Sequence, residues 1–174
     1  MRRKRFRVLF ECILFAMLGT LMFVSKLIME ALPNIHLLTL LIAVYTVVFR
    51  AKALIPIYIF VLLNGIIAGF APWWIPYLYI WTLQWATFML VPTRLPIKVR
   101  RWIYPALGFI HGLLFGLLYA PGQAMIFGLN AEQTMLWIAQ GFPFDVIHAV
   151  SNFIVGFLTF PLSNALRRAL AKIG

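Results

Sequence analysis

Most charged side chains in this chain occur as short punctuation between long apolar runs. An apolar run of about 20 residues crosses the hydrocarbon core of a bilayer, and only helices or closed barrels can do so with every backbone group paired. The 174 residues divide into six such runs, at about 8–29, 35–49, 54–70, 74–91, 104–119 and 144–166. The second run begins after Leu32-Pro33-Asn34, the third ends at Gly69-Phe70-Ala71-Pro72 and the fourth at Pro92. This spacing predicts an all-α, polytopic six-transmembrane-helix bundle forming one membrane domain over residues 1–174. With 64% hydrophobic residues and four acidic side chains, the composition excludes an ordinary soluble domain.

The basic residues then orient the helices. Arg2, Arg3, Lys4, Arg5 and Arg7 precede the first run, Arg50 and Lys52 follow the second, Arg94, Lys98, Arg100 and Arg101 follow the fourth, and Arg167, Arg168 and Lys172 follow the sixth. In a six-span topology these 14 of the 15 basic residues share one side, and only Lys26 lies toward the other. The positive-inside rule makes the crowded side cytoplasmic, with both termini there. Glu30, Glu132 and Asp145 fall toward the outside. A net charge of +11 would also suit nucleic acid, but the basic residues cluster between apolar segments instead of lining one face, so no nucleic-acid partner is expected. The basic N-terminus resembles a signal peptide, yet Val8–Met29 is too long and lacks a small-x-small cleavage site, so it is expected to stay as the first helix. Cys12 is the one cysteine; it allows neither an intrachain disulfide nor a thiol metal site and is expected to be a small buried residue.

Within the sixth run, Asp145, His148 and Asn152 follow Pro143 at spacings of three and four, which place them on one face of a helix. An Asp near the centre of a bilayer helix costs roughly 2.5–3.5 kcal/mol on insertion scales, so this stripe should face a bundle interior or a cavity, with the other helices enclosing it. Small residues four apart permit close helix approach: Gly108, Gly112 and Gly116 in the fifth run, Gly65 and Gly69 in the third, Cys12, Ala16 and Thr20 in the first. For the first two groups, packing inside the bundle accounts for them; the face on the first helix is also available to a partner.

Two outer segments carry unusual character. Residues 71–85 hold Trp73, Trp74, Tyr77, Tyr79, Trp81 and Trp85, and a connection from about 120 to 143 holds Pro121, Gly122, Gly128, Gly141 and Pro143 among Met125, Phe127, Met135 and Trp137. Interfacial aromatics form a belt at headgroup level, whereas a long connection is often a lid or binding loop. No enzyme signature is present: no His-Glu-x-x-His, no Gly-x-Ser-x-Gly, no phosphate loop and no paired carboxylates. Asp145 and His148 are too few to define a metal site, and a hydrogen-bonded pair joining helices explains them as well. His36 and His111 are single histidines for which packing or hydrogen bonding suffices. The chain therefore reads as a non-enzyme with no resident cofactor or metal.

The strings Glu30-Ala31-Leu32-Pro33-Asn34-Ile35-His36-Leu37, Tyr45 to Ala53, Pro72-Trp73-Trp74-Ile75-Pro76-Tyr77-Leu78-Tyr79, and Gly141-Phe142-Pro143-Phe144-Asp145-Val146-Ile147-His148 followed by Asn152-Phe153, set in six short helices, resemble the substrate-binding S-components of energy-coupling factor (ECF) vitamin transporters, and within them the cobalamin-type member. The resemblance implies a multi-pass protein of a prokaryotic plasma membrane that captures a vitamin from outside and docks on a transmembrane coupling protein (the T component) and two ATP-binding subunits. It implies docking through an Ala-x-x-x-Ala type face on the first helix, matched here by Ala16 and Thr20 with Cys12 and Gly19 beside them; Thr20 departs from that pattern. For the ligand, the outer half of the bundle offers aromatics with a few polar groups, the mixture typical of small-molecule sites: Trp73, Trp74, Tyr77, Trp81, Gln84 and Trp85, with Asn34, His36, Asp145, His148 and Asn152. A corrinoid matches this set, with riboflavin, folate or pantothenate as the smaller choices. The competing classes are a haem- or quinone-binding membrane subunit and a purely structural assembly subunit.

Overall fold

The computed structural model describes residues 2–32 and 34–173; Pro33 lies outside the described residues, as do the side chains of Arg2, Arg3 and Lys4. Among the described residues there are eight α-helices and no strand: α1 (Arg2–Ile28), α2 (Leu38–Phe49), α3 (Leu54–Ala68), α4 (Tyr77–Met89), α5 (Ile97–Leu113), α6 (Phe115–Phe127), α7 (Ala131–Gly156) and α8 (Thr159–Ile173). Four stretches, Arg5–Ile28, Leu38–Ala68, Ile97–Phe127 and Ala131–Gly156, are long and apolar enough to cross a membrane. The chain is an all-α membrane protein, and its exposed Met17, Ile66, Leu90 and Ile154 are the kind of surface that lipid covers.

The Leu38–Ala68 stretch is two helices that run in opposite directions. Between them runs a 3-10 turn, Arg50–Ala53, and Arg50 takes a φ of 54°, uncommon outside glycine. Two hydrogen bonds to α4 fix it there: Arg50 Nη2 donates to Met89 O at 3.0 Å, and Trp85 Nε1 donates to Arg50 O at 3.1 Å. The direction on either side follows from paired residues. Thr39 meets Gln84 and Arg50 meets Met89, so α2 and α4 are parallel. Tyr58 reaches Leu78 and Val61 reaches Trp74, so α3 is antiparallel to α4.

The helix that the others enclose is α2, not the one bearing Asp145. Nine of its twelve residues are buried, and α1, α4, α5, α7 and α8 pack around it. Hydrophobic character on every side is what permits a central position. At about 1.5 Å per residue, α2 is some 18 Å long and too short for a hydrocarbon core of about 30 Å. Helix α7 instead lies at the perimeter, with Val150 and Ile154 outward and the polar stripe inward.

The closest packing is between α5 and α7. A Cβ on Gly112 would lie 2.7 Å from the backbone of Ala149, one on Gly116 2.5 Å from Asp145 Oδ2, and one on Gly108 3.1 Å from Thr39 and 3.5 Å from Asn152 O. At the far end Gly156 takes the corresponding place against Pro105, at 2.8 Å. The glycine ridge thus fixes the antiparallel register of α7 and, with it, where the stripe points. Gly65 is different: its near neighbour is Phe70 of its own connection, not another helix.

Three boundaries depart from the reading by punctuation. Helix α5 begins at Ile97, seven residues before the expected start, so Lys98, Arg100 and Arg101 lie on helix. The stretch 120–143 is helical except for Gly128–Asn130. Pro121 sits within α6 and Pro143 within α7, which membrane helices accommodate because neighbouring groups satisfy the freed carbonyls. The start of α7 has a local signal: Asn130 and Gln133 form a reciprocal capping box. The last helical stretch breaks after Gly156, and α8 follows from Thr159.

At the end of the bundle holding the Arg50 turn, Lys52 Nζ donates to Glu11 Oε2 at 2.6 Å and Arg167 Nη2 to Val47 O at 2.8 Å. With Arg7 Nε 3.6 Å from Glu11 Oε1, these contacts gather basic residues from three parts of the chain at one end, while Lys26 lies in the last turn of α1 at the other. Cys12, expected to be buried, is exposed.

Candidate functional site

Opposite the basic end, the connection from α1 to α2 lines a cavity of about 260 Å³. Lys26 of α1 and Met29, Glu30, Leu32, Asn34, Ile35 and His36 of the connection line it together with Tyr77 and Trp81 of α4, Phe115 of α6 and His148 of α7. Each element is held in place by packing already described: α4 by its bonds to the Arg50 turn, α7 by the glycine ridge of α5.

The three histidines of the chain gather around one aromatic pair. The rings of Trp81 and Phe115 lie 5.9 Å apart. His36 is 6.2 Å from Trp81 and 4.6 Å from His148, His148 is 5.0 Å from Phe115, and His111 is 6.3 Å from Trp81 and 6.2 Å from Phe115. Tyr77 and Phe60 extend the cluster, at 5.5 and 6.0 Å from Trp81. His111 is buried behind the wall and does not line the cavity. Among the described residues no three His, Cys, Asp or Glu side chains are placed to share a metal ion.

Several polar atoms here have no hydrogen-bond partner among the described residues: His36 Nδ1, His148 Nε2, His111 Nε2 and Trp81 Nε1. Trp81 and His148 are each only 1% exposed. A buried group left unpaired costs about 1–3 kcal/mol, and Trp Nε1 can only donate. The site therefore lacks an acceptor for Trp81. Burial, reinforced by the positive charge of Lys26, pulls the His36 imidazole down to about 4, so it is neutral near pH 7.

Of the residues named from sequence, Asn34, His36, Tyr77, Trp81 and His148 line this cavity. The others are deployed elsewhere. Asp145 Oδ2 accepts Gly116 N–H at 3.0 Å and Asn152 Nδ2 donates to Gly108 O at 3.2 Å; both bind α7 to the α5–α6 stretch. Gln84 Nε2 donates to Thr39 Oγ1 at 2.8 Å inside the core. Trp74 Nε1 donates to Val61 O at 2.8 Å, and Trp73 stacks edge-on against Tyr77 while its carbonyl accepts from Tyr119 Oη. Trp85 bonds the Arg50 turn, at the opposite end of the bundle. The lining residues that sequence reasoning missed are Lys26, Met29, Glu30, Leu32, Ile35 and Phe115. Lys26 carried a legible signal, being the one basic residue that breaks the charge asymmetry.

On α1, Cys12, Ala16 and Thr20 are exposed, whereas Gly19 is buried against α3, where an added Cβ would lie 2.6 Å from Ile59. The named face thus divides: three residues point outward, and Gly19 belongs to the α1–α3 contact. Comparison with protein-family models, with curated proteins and with solved structures finds no match to the chain.

Proposed function

We propose that this chain is a substrate-capture subunit of the S-component type, a multi-pass protein of a prokaryotic plasma membrane that takes up a vitamin at its outer face and hands it to an ATP-driven module. The observation that carries this reading is the cavity beside the α1–α2 connection, lined by Tyr77, Trp81, Phe115, His36 and His148, where Trp81 Nε1 and His148 Nε2 are buried and unpaired among the described residues. Aromatic surface with a few placed polar groups is what a small-molecule site offers. A second support is the division of labour: the cavity is at the end away from the basic cluster, and the exposed Cys12, Ala16 and Thr20 stripe offers a separate surface for the T component and the two ATP-binding subunits.

Within this class the size of the cavity favours a compact vitamin over a corrinoid. About 260 Å³ lies just below the roughly 300–1,000 Å³ range of drug-sized pockets, and both a corrinoid and a haem exceed it. A thermal-shift screen of vitamins on the purified chain tests the reading, since a ligand that binds only the folded state raises its apparent stability. A saturable rise with one vitamin supports capture; no rise with any of them removes it.

A further inference from the structure

The side chains that line the cavity include one cation. Lys26 is half-buried, lines the cavity and has no ion-pair partner among the described residues. His36 beside it is neutral, and Glu30 on the same rim is exposed, where water screens its charge. Asp145 is turned away onto Gly116. One half-buried ammonium matches a single negative charge; a phosphate dianion would call for more than one cation, or for the fork of an arginine. Trp81 and His148 line it too, and their Nε1 and Nε2 are buried without a hydrogen-bond partner among the described residues, each side chain 1% exposed. The rings of His36, Trp81, Phe115 and His148 pack on one another at 4.6–6.2 Å and together give the cavity an aromatic wall suited to a flat group, because aromatic surfaces favour stacked and edge-on contacts with another ring.

Resting on the capture reading above, we propose that the outer cavity selects a compact aromatic monocarboxylate, with its ring against the wall of His36, Trp81, Phe115 and His148 and its carboxylate on Lys26. The ring carries an acceptor for Trp81 Nε1. The charge of Lys26 is then used for selection, beyond its ordinary service to the C-terminal carbonyls of α1.

The test uses pairs that differ in charge alone: nicotinate against nicotinamide, and 4-aminobenzoate against 4-aminobenzamide, titrated into the full chain in a neutral detergent. The wild type should bind at least one acid about tenfold tighter than its amide, the equivalent of a single favourable charge-assisted contact. Lys26→Gln should bring acid and amide to equal affinity, and Lys26→Arg should restore the preference. Equal affinity in the wild type, no binding of either acid, or a preference that survives Lys26→Gln would each overturn the proposal. The last result would leave Lys26 serving α1 alone. A neutral vitamin that stabilises wild type and Lys26→Gln alike keeps the capture reading and removes the carboxylate. A Lys26-dependent acid preference in a chain that no vitamin stabilises keeps the site and removes the vitamin.

Discussion

Asp145 on α7 accepts the backbone N–H of Gly116 at 3.0 Å, where α5 has ended at Leu113 and α6 has just begun. The first N–H groups of a helix have no partner within it, and inside a bilayer no water supplies one. The carboxylate therefore does for α6 what a capping side chain does at an exposed helix start, from a residue 29 positions away.

This gives Asp145 a structural role that separates it from His148. Asp145→Ala should lower stability by about 1–3 kcal/mol, the cost of an unpaired buried N–H, while Asp145→Asn, which keeps an acceptor oxygen, should lose less. Thermal unfolding in detergent measures both. A loss of ligand affinity in Asp145→Asn as large as that in His148→Ala would contradict the separation.

The helical architecture was legible because burial in lipid leaves a strong, simple pattern: apolar runs, basic clusters and glycines four apart. The inward direction of Asp145, His148 and Asn152 was legible for the same reason, since a charge on the lipid side is costly. What the pattern could not reveal was which polar group pairs with which. Asp145, Asn152 and Gln84 bond groups 29 to 45 residues distant, and nothing local distinguishes them from His148, which bonds nothing. Nor do proline and charge mark loops as they do in water: Pro121 and Pro143 lie inside helices, and Lys98 to Arg101 open one. The convergence of His111 and His148 depends on the α5–α7 register, and that of His36 on the path of the α1–α2 connection.

His36 supplies a prediction in pH. Its folded value, about 4, lies below the usual 6.5 or so of a free imidazole, so between these values the unfolded chain binds more protons than the folded one. Stability should therefore fall as pH drops from about 6.5 toward 4 and be fully present above that window. Unfolding of wild type and His36→Gln compared across pH 4 to 7.5 isolates this contribution: the wild type should lose more on acidification. Parallel curves would show that His36 is not held neutral by its site.

The orientation is open to labelling. With the exposed Cys12 replaced by serine, a cysteine at Lys98 should react with an impermeant thiol reagent only from the cytoplasmic side, and one at Glu132 only from outside, as the 14-to-1 division of basic residues requires. Both positions are exposed, so failure to react would not arise from burial. Reaction of both from one side would break the six-span arrangement.

For the α1 face, Ala16 is exposed and distant from the cavity lining, and a bulky side chain on a small-residue stripe holds a second helix away. Ala16→Trp should abolish uptake in cells supplied with the coupling subunits while leaving ligand affinity of the isolated chain nearly unchanged. Equal loss of both would make the stripe part of the fold.

The central claim, that the cavity around Trp81 captures a small molecule, is tested most directly by calorimetric titration of riboflavin, folate, pantothenate, nicotinate and 4-aminobenzoate into wild type and Trp81→Phe. Phenylalanine keeps an aromatic wall and removes the Nε1 donor. The account predicts saturable heat with at least one of them and an affinity about tenfold lower in Trp81→Phe, the usual loss for one hydrogen bond to a buried donor. No saturable heat with any of the five, or the same affinity in both proteins, would contradict it.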